Sequence, residues 1–477
     1  MKEIEVDVAV LGAGTAGLGA RRAALKHRDR VVLIEGGPHG TTCARVGCMP
    51  SKLLIASAEA AHAVREASSL GVHTGPFQIN GVEVMERVRR ERDRFVGFVL
   101  DSVEHIDADQ KLHGYARFLD PHRLQVGDHT LVHAKTVVIA TGSSPVIPPS
   151  FRDLGDRLIV NDDLFEWHDL PREVAVFGPG VIGLELGQAL HRLGVRTHVF
   201  GRGGKIGPIT DPKIQEYCRQ SFSREFCLYP HAEVTEMKRV GDRVNIAFRD
   251  REGRSRRESF DYVLAATGRK PNLADLGLEH SGLELDKRGI PRFDPFTLQA
   301  GNSHIFIAGD VNHYRPILHE AADEGRIAGE NAGRFPDIRA GLRRSALGVV
   351  FTDPQIATVG CGFADLKPDC FAIGEVSFEN QGRSRVMLKN KGLLRVYAEH
   401  GTGLFLGAEM FGPRAEHLAH LLAWSHQQKM TIKQMLEMPF YHPVIEEGLR
   451  TALRDANGKL HLGPPPVPGC LDCGPGA

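Results

Sequence analysis

The chain lacks both an excess of charge and a long apolar run. Its 477 residues contain 59 Lys+Arg and 59 Asp+Glu, which argues against attachment to nucleic acid or an anionic membrane by bulk positive charge. No apolar run approaches the 18 or so residues of a membrane-spanning helix. The first residues, MKEIEVDVAVLGAG, lack the charged region, apolar region and cleavage pattern of a signal peptide. We therefore expect a cytoplasmic protein with no nucleic-acid or membrane partner.

Cysteine is also scarce. Eight cysteines in 477 residues are too few for a disulfide scaffold. Where no secretory signal is present, closely spaced cysteines are more often catalytic or metal-binding than structural. Two pairs are close in sequence, Cys43 with Cys48 and Cys470 with Cys473. The other four are expected to be structural, because no ligand residues flank them: Cys218, Cys227, Cys361 and Cys370.

Glycine, by contrast, is abundant, with 53 residues, about 11% of the chain against about 7% in average proteins. Part of the surplus lies in two strand–helix–strand segments, EVDVAVLGAG to VVLIEGG and, 166 residues later, EVAVFGPG to RTHVFGRG. In a dinucleotide-binding turn, the first glycine makes the turn, the second admits the pyrophosphate and the third lets the helix pack closely. Two matching units predict two dinucleotide sites rather than glycine-rich turns alone. Their glycines are Gly12, Gly14 and Gly17, matched by Gly178, Gly180 and Gly183.

Three further strands end at a glycine or a carboxylate. TVVIATG ends at Thr141 and Gly142, YVLAATG at Gly268, and HIFIAGD at Asp310. Such strands return to a sheet and deliver a turn or an acidic group to a bound nucleotide. After about residue 346 the sequence alternates and then becomes helical, which predicts a separate α+β domain.

The segment GTTCARVGCMPSK follows the first strand–helix–strand unit. Cys43 and Cys48 are five residues apart, about 140° on a helix, so a disulfide between them needs an irregular turn, which Gly47 could help to supply. A zinc site would need more ligands at suitable spacing. The two hypotheses that remain are a redox-active disulfide beside a flavin and two buried thiols.

GTTCARVGCMPSK resembles the active-site signature of the FAD-dependent pyridine nucleotide–disulfide oxidoreductases, which include dihydrolipoyl dehydrogenase, glutathione reductase and mercuric reductase. The resemblance runs from about residue 5 to about residue 460 and passes through every motif above in order. It implies an α/β fold with two Rossmann-like dinucleotide-binding domains, one inserted in the other, and an α+β dimerisation domain. The implied boundaries are 1–149 with 274–345 for FAD, 150–273 for NAD(P), 346–463 for dimerisation and 464–477 for a flexible tail.

The same resemblance assigns roles to individual residues. Cys48 would face the flavin, and Cys43 would form the mixed disulfide with substrate. Lys52, near the flavin, would pair with Glu185. The FAD contacts would come from the first glycine turn, from Glu35 at the adenosine ribose, from Asp310 near the ribityl chain, and from the backbone at Ala116, Thr141 and Gly142.

A base for thiol exchange is expected near the carboxy terminus. Thiolate rather than thiol attacks a disulfide, so a dithiol substrate must lose a proton. MPFYHPVIEEG resembles the family's HPxxxE motif, in which His442 would be the acid/base and Glu447 would orient it, both supplied by the partner subunit of a homodimer. Dihydrolipoyl dehydrogenases usually carry a second histidine where this chain has Phe440.

The nicotinamide specificity is left open between NAD and NADP. Glu35 shifted by 166 positions falls on Gly201, where members that prefer NAD usually have an acidic residue. Arg202 follows, with Lys205 close by, and members that prefer NADP place an arginine there for the 2′-phosphate. A solvent-exposed turn residue is the alternative for Arg202.

The expected activity is that of a dihydrolipoyl dehydrogenase, in which dihydrolipoamide reduces Cys43–Cys48 and the electrons pass through FAD to NAD. The partner would be a lipoyl-carrying protein or a small dithiol or disulfide, and no resident metal is expected. The alternatives are an NADPH-dependent disulfide reductase, a mercuric-reductase-like enzyme, which lacks the His-Pro/Glu base, and a non-enzymatic subunit. Cys470 and Cys473 would be either a relay of electrons or metal ions, or an inert tail.

Overall fold

The computed structural model describes residues 1–463. Cys470 and Cys473 lie outside the described residues. Within that range, no helix has both the length and the apolar character to cross a membrane.

The strands are β1 (Lys2–Leu11), β2 (Val31–Glu35), β3 (Lys111–His113), β4 (Ala116–Asp120), β5 (Arg123–Val126), β6 (Thr130–Ile139), β7 (Ser143–Pro145), β8 (Leu158–Ile159), β9 (Glu173–Phe177), β10 (Arg196–Phe200), β11 (Cys227–Tyr229), β12 (Glu233–Val240), β13 (Arg243–Arg249), β14 (Ser255–Phe260), β15 (Tyr262–Ala265), β16 (Arg269–Pro271), β17 (Ile305–Ile307), β18 (Leu347–Val350), β19 (Gln355–Gly360), β20 (Phe371–Ser377), β21 (Leu393–Glu399) and β22 (Phe405–Gly412).

The α-helices connect these strands and cover their faces. They are α1 (Thr15–Ala24), α2 (Thr42–Val46), α3 (Cys48–Glu66), α4 (Gly81–Glu104), α5 (Asn161–Leu164), α6 (Val181–Arg192), α7 (Pro212–Glu225), α8 (Leu318–Arg334), α9 (Gly382–Val386), α10 (Ala415–Gln427), α11 (Ile432–Leu436) and α12 (Glu446–Lys459).

The first sheet has the strand order β3-β2-β1-β6-β5-β4, with β17 pairing on β6. β1 is parallel to β2 and β6, and β17 is parallel to β6, so the chain returns to this sheet some 165 residues after leaving it. Helices α1 and α8 pack so closely that a Cβ on Gly325 or Gly329 would lie 2.2 or 2.1 Å from a backbone oxygen of α1. Only glycine fits at these two positions. Those close contacts account for a further part of the glycine surplus.

The second sheet is wholly parallel, in the order β11-β10-β9-β15-β8. A separate antiparallel sheet, β12-β13-β14, packs beside it around buried Phe248 and Phe260. The short antiparallel pair of β7 and β16 joins the two places where the chain passes between the first and second sheets.

The third sheet is antiparallel, β18-β19-β22-β21-β20, and α10, α11 and α12 bury their apolar sides against it. The fold class expected from the sequence, two Rossmann-like sheets and an α+β part, is confirmed. The strand ends differ from expectation, since β6, β15 and β17 already end at Ile139, Ala265 and Ile307. The segment Ala140–Gly142 is therefore a loop at the carboxyl edge of the first sheet, which is where parallel α/β sheets bind their ligands.

Candidate active site

The two glycine turns have the same geometry. Gly12 and Gly178 have φ angles of 108° and 111°, and a Cβ on either would lie 2.3 or 2.2 Å from the carbonyl oxygen of the first residue after the neighbouring strand, β6 or β15. Gly17 and Gly183 face the carbonyl oxygen of the first glycine in their own turn. A Cβ added to Gly17 or Gly183 would lie only 1.8 or 1.9 Å from that oxygen. The first and third positions of both turns therefore exclude any side chain.

The middle glycines differ, because nothing lies near them. A Cβ added to Gly14 or Gly180 would meet no atom of residues 1–463 within 4 Å. Each precedes a helix, α1 or α6, that has no side-chain hydrogen bond at its amino end. Free backbone N–H groups, a helix dipole and open space suit a phosphate at both turns.

Glu35 ends β2 beside the first turn. One oxygen of its carboxylate accepts from the backbone N–H of Ala13 and the other from that of Gly37, each at 2.7 Å. An ionised carboxylate has about four acceptor positions, so two remain for further donors such as ribose hydroxyls. Ala116 begins β4, and two residues before it the backbone N–H of Gly114 donates to the Glu35 carbonyl at 2.9 Å.

The corresponding place in the second unit has no carboxylate. Gly201 follows β10, and its backbone N–H donates to the carbonyl of Tyr229. Arg202 and Lys205 are exposed, and neither forms a salt bridge with an acidic group of residues 1–463. This corner therefore presents two positive charges without internal partners.

A hydrogen-bonded group links the segments that follow β6, β15 and β17. The Asp310 carboxylate accepts from the Ser143 hydroxyl at 2.8 Å, and Arg269 donates to the same hydroxyl at 2.9 Å. Asn272 closes the loop by donating to the carbonyl of Thr141 at 2.9 Å, and its backbone N–H donates to the carbonyl of Gly142. Sequence reasoning found the carboxylate and the loop but missed the three polar residues that hold them.

Gly268 is the corresponding loop residue of the second sheet. It has a φ of 109°, and Gly142 has a φ of 70°. Neither position would bring a Cβ near another described atom. Both loops thus turn away from their strands through glycine, as expected from the shared ATG ending.

Cys43 and Cys48 lie on either side of a break between two helices. Cys43 belongs to α2, Cys48 begins α3, and Gly47 between them has φ −126° and ψ −112°. This irregular joint brings the sulfur atoms together, so that the Cys43 thiol donates a hydrogen bond to the sulfur of Cys48. The irregular turn anticipated at Gly47 is present.

The two thiols differ in acidity. The hydrogen bond from Cys43, together with the positive charge of Lys52, lowers the pKa of Cys48 to about 7. The same hydrogen bond and burial raise the pKa of Cys43 far above its ordinary value. In the dithiol form Cys48 therefore gives up its proton more readily than Cys43.

We expect this difference to be measurable in the reduced protein. One thiolate should form with a midpoint near pH 7, as followed by ultraviolet thiolate absorbance, and should be missing from Cys48→Ser. Replacing Lys52 with Met removes a positive charge and should shift that midpoint upwards. The assignment would be contradicted if the midpoint were unchanged in Lys52→Met, or if Cys48→Ser still formed a thiolate with a midpoint near pH 7.

Lys52 lies one turn along α3 from Cys48 and pairs with α6. Its ammonium contacts a Glu185 carboxylate oxygen at 2.7 Å, and the other oxygen accepts from the backbone N–H of Phe351 at 2.9 Å. Lys52 also lies 4.6 Å from the centre of the Phe351 ring. Because Glu185 is only 4% exposed, the pair is fixed in position beside the cysteines.

His442 and Glu447 form a second pair elsewhere in the chain. His442 Nδ1 lies 3.1 and 3.0 Å from the two carboxylate oxygens of Glu447, and that hydrogen bond lowers the pKa of Glu447. Arg450 donates to the same carboxylate and lies over the Phe440 ring at 5.6 Å. Within residues 1–463 of one chain, no hydrogen bond joins this pair to the cysteines, and the His442 side chain is 81% exposed.

Comparison with known proteins identifies the family of this fold and site. Residues 6–325 match the model of the pyridine nucleotide-disulphide oxidoreductases, and residues 347–453 match the dimerisation domain of the same family. The chain belongs to this family. The dimerisation match supports a homodimer.

Its relatives include enzymes with different substrates. The dihydrolipoyl dehydrogenase of Chlamydia trachomatis serovar D is 27% identical over 470 residues, covering 96% of this chain and 98% of the relative. The mercuric reductase of Shigella flexneri is 30% identical over 470 residues, covering 95% and 81%. The identities do not separate the two activities.

Solved structures agree on the fold. LpdA from Mycobacterium tuberculosis superposes with a TM-score of 0.80 at 25% identity, covering 94% of this chain and 99% of that one. A Cu(II) complex of the HOCl-induced flavoprotein disulfide reductase RclA from Escherichia coli gives 0.78 at 21% identity, covering 96% and 99%. Among residues 1–463, no group of three or more His, Cys, Asp and Glu side chains could hold a metal ion.

The family's cofactors, FAD and NAD(P), fit the two glycine turns. Each turn excludes side chains at its first and third glycines and leaves space at its second, next to the free amino end of a helix. The protein is thus a member of a flavin-dependent disulfide oxidoreductase family with both dinucleotide cradles formed.

Proposed function

We propose that this protein oxidises dihydrolipoamide with NAD+, giving lipoamide, NADH and a proton. The observation that carries the proposal is the pairing of Cys43 and Cys48 beside the ion pair that Lys52 makes with buried Glu185. The additional presence of His442 and Glu447 as an oriented acid/base pair favours exchange with an organic dithiol.

The thiol steps follow from the acidities of the two cysteines. A substrate thiol gives its proton to His442, and the thiolate attacks the sulfur of Cys43 in the Cys43–Cys48 disulfide. The S–S bond breaks, a mixed disulfide forms on Cys43, and Cys48 leaves as the thiolate stabilised by Lys52. The second substrate thiol then loses its proton as its sulfur attacks the substrate sulfur of the mixed disulfide, and Cys43 departs and takes up that proton.

The remaining chemistry belongs to the cofactors. Bound FAD supplies the capacity to accept two electrons from a dithiol and to pass them on as a hydride to a nicotinamide. The residues proposed to hold it are those of the first glycine turn, Glu35, Lys52, Asp310 and the loop at Gly142. The residues proposed for the nicotinamide dinucleotide are those of the second glycine turn, with Gly268.

The test is a single assay of three substrates with three cofactors. Dihydrolipoamide, glutathione disulfide and mercuric ion are each combined with NAD+, NADH or NADPH as chemistry requires, with Cys43→Ser protein as the control. Dihydrolipoamide turnover that depends on Cys43 supports the proposal. If dihydrolipoamide is inert under all conditions while another substrate turns over, the proposal is wrong.

A second candidate, an NADPH-dependent disulfide reductase, is favoured by the corner at Arg202. Gly201 offers no acceptor for a ribose 2′-hydroxyl, whereas Arg202 and Lys205 have no acidic partner among the described residues. A 2′-phosphate would supply that partner. In this case the same thiols would run in the reducing direction.

Replacing Arg202 with Ala distinguishes the two cofactors. If Arg202 binds the 2′-phosphate, the KM for NADPH should rise at least about tenfold, because a charge-assisted hydrogen bond is lost, and the KM for NADH should stay constant. Arg251→Ala, an exposed arginine of the β13–β14 turn, is the matched control. Unchanged constants for both cofactors would show that Arg202 is only a surface charge.

A further inference from the structure

The joint between α2 and α3 leaves one backbone acceptor without its usual partner. In a continuous helix the carbonyl of Val46 would accept from the N–H four residues on, but residue 50 is proline and has no N–H. Val46 is buried, so water does not readily satisfy that carbonyl. The sequence of the redox segment therefore requires a donor from elsewhere in the fold.

Asn161 supplies that donor. Its side-chain amide nitrogen lies 2.7 Å from the Val46 carbonyl and 2.9 Å from a carboxylate oxygen of Asp162. Asn161 is 6% exposed and begins α5, so the turn holding it is part of the folded core. Asp163 fixes the same turn from the other side by accepting from the backbone N–H of Val160 at 2.9 Å.

We propose that Asn161 is a positioning residue for the redox pair, which sets the reduction potential of Cys43–Cys48 by holding the joint at Gly47. The inference rests on the proposed function, in which these two cysteines are the redox couple. The equilibrium is dithiol protein plus an external disulfide giving disulfide protein plus two external thiols. Its constant depends on how closely the protein holds the two sulfur atoms together.

Loss of the Asn161 donor should favour the dithiol form. Without the hydrogen bond from Asn161 to the Val46 carbonyl, Cys43 and Cys48 can move apart. This lowers the effective concentration of one thiol at the other and so destabilises the disulfide, but it leaves the free energy of the separate thiols unchanged. We expect the equilibrium constant for disulfide formation to fall about tenfold, which corresponds to a rise of about 30 mV in potential.

Asn161→Leu tests this with little change in side-chain shape, and Asp163→Asn is the control in the same turn. Each holoprotein is equilibrated with dithiothreitol buffers of defined ratio, the thiols are alkylated, and the oxidised fraction of Cys43–Cys48 is measured by mass spectrometry. Thermal unfolding is followed in parallel. We expect both variants to unfold at lower temperature and only Asn161→Leu to shift the redox equilibrium.

Two outcomes would overturn the inference: equal equilibria for Asn161→Leu and the wild type, or equal shifts in Asn161→Leu and Asp163→Asn. If Asn161→Leu does not fold, Asn161→Ser and Asn161→Asp replace it. Serine retains a donor and should stay near the wild type, whereas aspartate presents only acceptors and should shift. A wild-type protein whose two cysteines never form a disulfide would instead refute the proposed function.

Discussion

Cys43→Ser should lower turnover of every dithiol or disulfide substrate by at least about a thousandfold, because a hydroxyl cannot take part in disulfide exchange. The variant should nevertheless retain its flavin and its reduction by a nicotinamide dinucleotide. Both depend on the glycine turns and on the Lys52–Glu185 pair, which do not involve the Cys43 sulfur.

The measurement pairs two assays on one preparation. Dihydrolipoamide oxidation reports the thiol half of the reaction, and transfer from NADH or NADPH to a quinone or ferricyanide reports the nicotinamide half. Cys370→Ser removes an exposed thiol from the residue just before β20, in the dimerisation part of the chain, and should leave both rates unchanged. If Cys43→Ser loses both rates together, Cys43 is needed for more than exchange; if it loses neither, the exchange role is wrong.

The glycine turns were predictable from the sequence because their constraints are local. A positive φ at the first glycine and close contact at the third are set by strand, turn and helix within six residues. The hydrogen bond between His442 and Glu447 also joins residues only five apart, although their roles were expected through the resemblance to the family. The spacing of residues in the sequence can predict a contact when the two residues are only about five positions apart.

Other parts of the site depend on residues far apart in sequence. Glu185 meets Lys52 across 133 positions, and Asn161 meets Val46 across 115. The first was expected only through the resemblance to a family, and the second was not expected at all. A signal did exist for the second, since Pro50 leaves the carbonyl of Val46 without an intrahelical donor, but nothing local indicates which residue supplies one.

Helix α6 connects the two halves of the proposed reaction. Its amino end follows Gly180, where a nicotinamide dinucleotide would place its phosphates, and its second turn carries Glu185, which pairs with Lys52. Farther along, Gln188 and Arg192 hydrogen-bond Asp353, in the segment just after β18. The same helix thus borders the proposed phosphate site, holds the lysine beside the cysteines and contacts the start of the dimerisation domain.

Replacing His442 with Ala should lower dihydrolipoamide oxidation by about 10²- to 10⁴-fold, the usual contribution of a general base. Reduction of a quinone or ferricyanide should not change, because no thiol proton is transferred there. Glu447→Gln should have a smaller effect, since it weakens only the hydrogen bond that orients Nδ1 of His442.

The same variant tests whether the base comes from the partner subunit. His442 is exposed in the single chain and makes no hydrogen bond to Cys43 within the described residues, so we expect each site to combine Cys43 of one subunit with His442 of the other. A heterodimer of one Cys43→Ser subunit and one His442→Ala subunit, isolated with two affinity tags, then contains one intact site and one doubly altered site. It should retain about half the wild-type activity per dimer, although either homodimeric variant is nearly inactive. If both groups came from one chain, neither site would be intact and the heterodimer would be as inactive as its parents.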